Sequence, residues 1–154
     1  GVDVLRDAPH KDVLIVAVGA FAKLGLDVAD RLAQQGIGAT VVDPRWVVPV
    51  STSIIELARE HRLVITLEDG IRVGGVGTRI RQELRSAGVD TAVDELGLPD
   101  EFLEHATRDE ILESAGLTAQ TIARDVVAQV LGSRIPVARP LPEEEASNAE
   151  HTKF

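Results

Sequence analysis

The residues of this sequence best placed to do chemistry are two carboxylate-bearing segments, an arginine and a run of glycines. Asp43-Pro44-Arg45-Trp46 follows one apolar run, and Glu68-Asp69-Gly70 follows another. If those runs are parallel strands, their C-terminal ends lie where ligands usually bind in α/β sheets. Arg45 and Glu68 on neighbouring strand ends would suit acid–base chemistry, and they would equally suit a structural ion pair that holds loops. No His or Cys stands beside them in sequence. That favours the structural pair, because ion-pair networks often imitate active sites. Gly74-Gly75-Val76-Gly77-Thr78 then leads into an amphipathic segment. A strand, a glycine loop and a helix can hold an anion through backbone N–H groups and the helix dipole. Gly74, Gly75, Gly77 and Thr78 are therefore the candidate anion or interface loop. The stretch departs from G-x-G-x-x-G and lacks the Lys-Ser/Thr pair of a P-loop. The favoured reading is that the glycines let the loop turn and the helix approach its neighbours.

The remaining reactive side chains form no set. His10, His61, His105 and His151 are scattered, and cysteine is absent. Structural zinc usually needs four Cys or His ligands, and no G-x-S-x-G nucleophile elbow is present. His61 reads as a helix-end residue, where a cation is favoured. No catalytic, cofactor-binding or metal-ligating residue is identified. A net charge of −9 and few aromatics (Trp46, Phe21, Phe102, Phe154) exclude a nucleic-acid surface. No apolar run approaches the roughly 18 residues needed to span a bilayer. The opening Gly1-Val2-Asp3-Val4 has no basic n-region and no initiator Met, which reads as a piece of a longer chain rather than a signal peptide. The lack of cysteine fits a reducing cytoplasm.

Periodicity supplies the elements that must position these residues. Val13–Val18 is a continuous apolar run, as in a strand buried on both faces. Phe21, Leu24, Val28 and Leu32 follow at helical spacing, with Gly36 as the stop. Ala39–Val42 and Leu63–Leu67 read as further strands, the second bounded by Gly70, and Thr91–Leu96 as a fourth. A helix after Pro49 has Ser53 and Glu56 spaced as a capping box. Val76, Ile80 and Leu84 mark another, with Arg79, Arg81 and Arg85 off the stripe. Thr107 with Glu110, and then Thr118, open two closing helices separated at Gly116. Alternating strands and helices predict an α/β sheet covered on both faces. Residues 1–11 read as a linker, 12–132 as the domain, and the Pro- and Glu-rich residues 133–154 as a mobile tail.

The same residues carry a resemblance. Val41–Pro49, and Thr66–Gly70 followed by Gly74–Gly77, resemble the C-terminal domains of transketolase-like enzymes and of 2-oxoacid dehydrogenase β subunits. Gly97–His105, continued by Glu110-Ile111-Leu112 and Gly116-Leu117-Thr118, resembles the 1-deoxy-D-xylulose-5-phosphate synthase family, of actinobacterial type. The resemblance implies a three-layer α/β/α domain with a mixed, mostly parallel five-stranded sheet and one antiparallel strand. It implies a cytoplasmic, homodimeric parent enzyme that uses thiamine diphosphate and magnesium, both held by preceding domains. That enzyme condenses pyruvate with glyceraldehyde 3-phosphate and releases carbon dioxide, for isoprenoid, thiamine and pyridoxal synthesis. No cofactor is expected on this chain. Its implied partners are the preceding domains and the homodimer mate, with neither nucleic acid nor membrane. The alternative is a separate regulatory or anion-binding module of transketolase type.

Overall fold

A computed structural model of the chain describes residues 1–46, 48–71, 75–98 and 106–132. Its strands are β1 (Val2–Arg6), β2 (Val13–Ala17), β3 (Ala39–Pro44), β4 (Leu63–Ile71) and β5 (Ala92–Leu98). Its helices are α1 (Ala22–Gln34), α2 (Thr52–Glu60), α3 (Val76–Ser86), α4 (Arg108–Ser114) and α5 (Ala119–Gly132), with a 3-10 turn at Gly19–Phe21 before α1. The strands form one sheet in the order β1-β3-β2-β4-β5, with β1 antiparallel to β3 and all other pairings parallel.

β2 is the axis of the domain. All five of its residues are fully buried, as its unbroken apolar sequence predicts for a strand covered on both sides. Because side chains alternate across a strand, β2 feeds two cores. Val13, Ile15 and Ala17 pack with Val28 and Leu32 of α1 and with Ile122 and Val126 of α5. Leu14 and Val16 pack with Ile54 and Ala58 of α2 and with Ile80 and Leu84 of α3. Each fully buried aliphatic side chain contributes about 1.5–3 kcal/mol relative to exposure. The helical stripes expected from spacing are the stripes that face the sheet, and Arg79, Arg81 and Arg85 lie on the exposed side of α3.

Local stops and starts follow the sequence in most places. Gly36 and Gly116 take positive φ (71° and 74°) just beyond α1 and α4, a conformation that costs a side chain most and glycine least. Thr107 Oγ1 accepts from the Glu110 N–H at 3.2 Å, and Thr118 Oγ1 from the Thr121 N–H at 3.3 Å. Three expectations need correction. α2 is capped by Ser51, whose Oγ accepts from the Ser53 N–H at 3.2 Å, so Ser53 is the recipient of the cap rather than its donor of oxygen. Gly70 lies inside β4 and bounds nothing. Residues 1–11 are not merely a linker, because Val2–Arg6 is the antiparallel strand of the sheet, in register from Val2 opposite Pro44 to Val4 opposite Val42. As an edge strand it needs only one good partner and shows only a weak burial pattern, so it carries little periodicity. The expected tail at 133–154 and most of the Gly97–His105 motif, from Pro99 onward, lie outside the described residues.

Candidate functional site

The sheet reverses its direction of growth at β2: α1 leads outward to β3, and α2 leads back across β2 to β4. The C-terminal ends of β2 and β4 are therefore the topological switch point, where an α/β sheet opens its ligand crevice. Two contacts among the described residues lie at this end of the sheet. The Val18 N–H donates to the Leu67 C=O at 2.9 Å. Glu68, the next residue of β4, is only 8% exposed, and its Oε2 accepts from the Val76 N–H at 3.0 Å. Val76 is the first residue of α3, whose N-cap Gly75 offers no side-chain oxygen. The carboxylate thus supplies what the cap lacks and meets the positive end of the helix dipole, a contact worth on the order of 1–2 kcal/mol when partly buried.

Beneath the first turn of α3, Thr66 of β4 and Glu95 of β5 stand directly opposite each other in the parallel register. Gly77 lies over both. A Cβ at that position would collide with Thr66 Oγ1 and come within 2.9 Å of Glu95 Cγ. The absence of a side chain is what allows α3 to approach the sheet there. Glu95 Oε2 takes a salt bridge from Arg81 Nη2 at 3.3 Å, and the same Nη2 donates to the Val93 C=O at 2.7 Å. Among the described residues, Thr66 Oγ1 and Glu95 Oε1 are buried without a protein hydrogen-bond partner.

The surrounding charges are engaged in pairs. Arg108 donates from Nη1 and Nη2 to the two carboxylate oxygens of Asp69, at 3.2 and 2.7 Å, tying α4 to β4. Asp43 Oδ1 accepts from the Gly19 N–H at 3.4 Å. Arg45 donates from Nε and Nη2 to Asp3 Oδ1 at 2.9 and 2.8 Å. In both arginine pairs the hydrogen bonds first, then the opposite charge, raise the guanidinium pKa above its ordinary value. The expected pairing of Arg45 with Glu68 is not what forms. It assumed that β3 and β4 are neighbours, whereas β2 lies between them, and each side chain has found a nearer partner. Of the candidate loop, Gly74 lies outside the described residues, Gly75 is the N-cap of α3, Gly77 is buried, and Thr78 is half-buried in the helix.

His61 does end a helix, as its position suggests, but not as an exposed cation. It is 4% exposed. Its Nδ1–H donates to the Leu57 C=O at 2.6 Å, which leaves Nε2 of the neutral ring to accept the Thr40 O–H at 3.0 Å. Thr40 Oγ1 in turn accepts from the Ala8 N–H at 3.4 Å. Burial lowers the pKa of the ring, against the opposing pull of the Leu57 carbonyl. Its burial against the sheet, beside Thr40, is a long-range outcome that no local pattern shows. Thr66 and Glu95 were likewise missed; the available signal was a carboxylate inside a half-apolar strand pattern.

Among the described residues no group of three or more His, Cys, Asp or Glu is arranged to hold a metal ion. Among the described residues, the strand-end carboxylates Asp43, Glu68 and Asp69 each accept a hydrogen bond from the chain. No described helix is long and apolar enough to cross a membrane.

The likenesses to known proteins agree with this geometry. The family "Transketolase, C-terminal domain" matches residues 2–122. The chain is 73% identical over 145 residues to the 1-deoxy-D-xylulose-5-phosphate synthase of Leifsonia xyli subsp. xyli, covering 94% of this chain and 22% of that protein. It is 66% identical over 146 residues to the synthase of Pseudarthrobacter chlorophenolicus, covering 92% of this chain and 22% of that protein. The chain thus spans about a fifth of the length of these curated relatives. Among solved structures, a split-gene transketolase described as an inactive β4 tetramer is similar with a TM-score of 0.75 and 32% identity, covering 85% of this chain and 42% of that one. A transketolase from Pichia stipitis shares the fold, with a TM-score of 0.62 at 18% identity over 88% of this chain and 18% of that one. The match over residues 2–122 shows that this chain, with its mixed five-stranded sheet, belongs to the transketolase C-terminal domain family.

Proposed function

We propose that this chain is the non-catalytic assembly domain of a 1-deoxy-D-xylulose-5-phosphate synthase. The parent enzyme, in this reading, is a cytoplasmic homodimer that condenses pyruvate with glyceraldehyde 3-phosphate and releases carbon dioxide, for isoprenoid, thiamine and pyridoxal synthesis. Thiamine diphosphate, bound with magnesium in the preceding domains, supplies the carbanion chemistry that the side chains lack. The observation that carries the non-catalytic role is the engagement of the carboxylates at the end of β4 with the chain itself: Glu68 accepts from the Val76 N–H, and Asp69 pairs with Arg108. The 73% identity to a protein named as such a synthase supports the choice of parent enzyme.

The runner-up, a regulatory module that holds an anion at the glycine loop, is weakened by the same contact. The first amide of α3 already faces a carboxylate. An incoming phosphate would meet Glu68 and would have to displace it against like charge. Calorimetry of the chain with thiamine diphosphate and magnesium, beside an assay with pyruvate and glyceraldehyde 3-phosphate, tests the proposal. The expected result is neither saturable binding nor turnover. Micromolar cofactor binding by the chain alone would sink it, and saturable binding of inorganic phosphate that is strengthened in Glu68→Gln would favour the module.

A further inference from the structure

Two polar atoms under α3 are not accounted for by the contacts described above. Thr66 is 1% exposed, yet its Oγ1 meets no hydrogen-bond partner among the described residues, and Glu95 Oε1 is buried in the same condition. Folded proteins leave few such groups, and each one calls for a physical reason. These two are neighbours. Thr66 and Glu95 are Cα partners in the parallel β4–β5 ladder, so their side chains leave the same face of the sheet. Gly77, in the first turn of α3, lies over both of them. The two orphans therefore mark one enclosed polar spot rather than two separate defects.

The donors around that spot are engaged elsewhere. The Val76 N–H donates to Glu68 Oε2, and Arg81 Nη2 lies on Glu95 Oε2 and donates to the Val93 C=O. Glu95 Oε1 still needs a donor, and the Thr66 hydroxyl still needs an acceptor for its proton. An anion would meet the carboxylates of Glu68 and Glu95. A cation would meet the positive end of the α3 dipole. A hard cation also takes six or more oxygens, and among the described residues no three carboxylates or imidazoles are gathered to supply them. What fits is a small neutral molecule that both donates and accepts. Paired strands lie about 4.8 Å apart. A molecule with two hydrogen bonds of about 2.8 Å bridges groups up to about 5.5 Å apart.

We propose that one internal water is a fixed part of this fold, held between Thr66 Oγ1 and Glu95 Oε1 beneath the first turn of α3. It accepts the Thr66 O–H and donates to Glu95 Oε1, and two polar partners are enough to retain a buried water. Glu95 is then held at both oxygens, Oε2 by Arg81 and Oε1 by the water. The threonine and the glutamate, which interrupt otherwise apolar strands, are explained as the two walls of this site. The site lies inside the folded chain and depends on neither reading of its function.

A crystal structure of the protein at high resolution, grown in sodium and then soaked in rubidium, tests the site without any substitution. The expected result is a density peak at hydrogen-bond distance from both Thr66 Oγ1 and Glu95 Oε1, with no anomalous signal after the soak. A dry site in which Thr66 Oγ1 has turned to bond Glu95 Oε1 directly would overturn the proposal, and so would a peak that takes up rubidium. Water-deuteron magnetic relaxation dispersion in solution supplies the second arm. Thr66→Val keeps the shape of the side chain and removes the hydroxyl, so it should show one long-lived water fewer than the wild type, and Thr66→Ser should restore it. Thr66→Val should also lower the folding constant roughly tenfold, as the loss of a buried hydrogen bond does. A folded Thr66→Val protein with unchanged dispersion, or one more stable than the wild type, would show that the hydroxyl holds no water. Should Thr66→Val fail to fold, the density at the wild-type site decides alone.

Discussion

His61 and Gly77 show how single residues are constrained by what lies across the chain from them. His61 is buried as a neutral ring between Leu57 and Thr40, and burial lowers its pKa below the ordinary value. In the unfolded chain the ring titrates near its usual value of about 6.5. Between that value and the lower folded one, the unfolded state binds the extra proton. The stabilising contribution is therefore fully present above about pH 6.5 and is lost as pH falls through the folded pKa, at up to about 1.4 kcal/mol per pH unit. Lys11, which disfavours the cation, and Glu60 and Asp7, which favour it, set its exact position. Denaturation of the chain across pH 5–8 should show this component in the wild type and not in His61→Gln, with an NMR midpoint for His61 below the free-imidazole value. A midpoint at or above the free value would contradict the buried neutral ring. At Gly77 the constraint is steric. Gly77→Ala should cost roughly 1–3 kcal/mol, as overpacking does, because the added methyl collides with Thr66 Oγ1. Adding Thr66→Ala should recover part of that loss. A double-mutant cycle with no coupling would show that the helix can shift freely, contrary to the close approach seen here.

At the scale of elements, the edge strand β1 does more than extend the sheet. It covers the outer edge of β3 from Val41 to Pro44, and Arg6 is tied to Asp30 of α1. The segment that follows it brings the Ala8 N–H to Thr40, the same hydroxyl that holds His61. A chain that begins at Pro9 would leave β3 as a bare edge, which invites pairing with another molecule. Such a truncation should lower the melting temperature and convert the chain to concentration-dependent oligomers by sedimentation. A truncated chain with unchanged melting and a monomeric mass would mean that residues 1–8 act only as a linker. α4 is the opposite case. It is seven residues long with no fully buried side chain, and it is held by the Thr107 cap, the Arg108–Asp69 pair and the partly buried Leu112, which packs on the core under α1 and α5.

At the scale of the whole molecule, β2 makes one folding unit of two cores. Ile15 belongs to the core under α1 and α5, and Leu14 to the core under α2 and α3. Both are completely buried. Leu14→Ala and Ile15→Ala should each cost about 2–5 kcal/mol. Because the two cores share one strand, each substitution should lower a single transition that far-ultraviolet circular dichroism and core methyl resonances report together. Two separated transitions, one for each face, would show that the layers unfold independently. At the C-terminal end of the sheet Glu68 holds the first amide of α3, and Trp46 is exposed.

What the sequence determined by itself is whatever is written in neighbouring residues. The unbroken apolar run of β2, the stripes of α1 and α3, the glycine stops at Gly36 and Gly116 and the caps at Thr107 and Thr118 all arise within a few residues of chain, where steric and hydrogen-bonding rules act directly. The lack of a cysteine, a clustered histidine set or a nucleophile elbow is equally legible. The tertiary structure alone decided which strand ends are neighbours. The return of the chain through α2 inserts β2 between β3 and β4, so Arg45 meets Asp3 and Glu68 meets the N-terminus of α3. It also turned the opening residues into a strand, through a ladder to β3 some forty positions away. Pairing, burial and the close contact of Gly77 with Thr66 are long-range events. Their free energy depends on partners distant in sequence, and local periodicity holds no record of them.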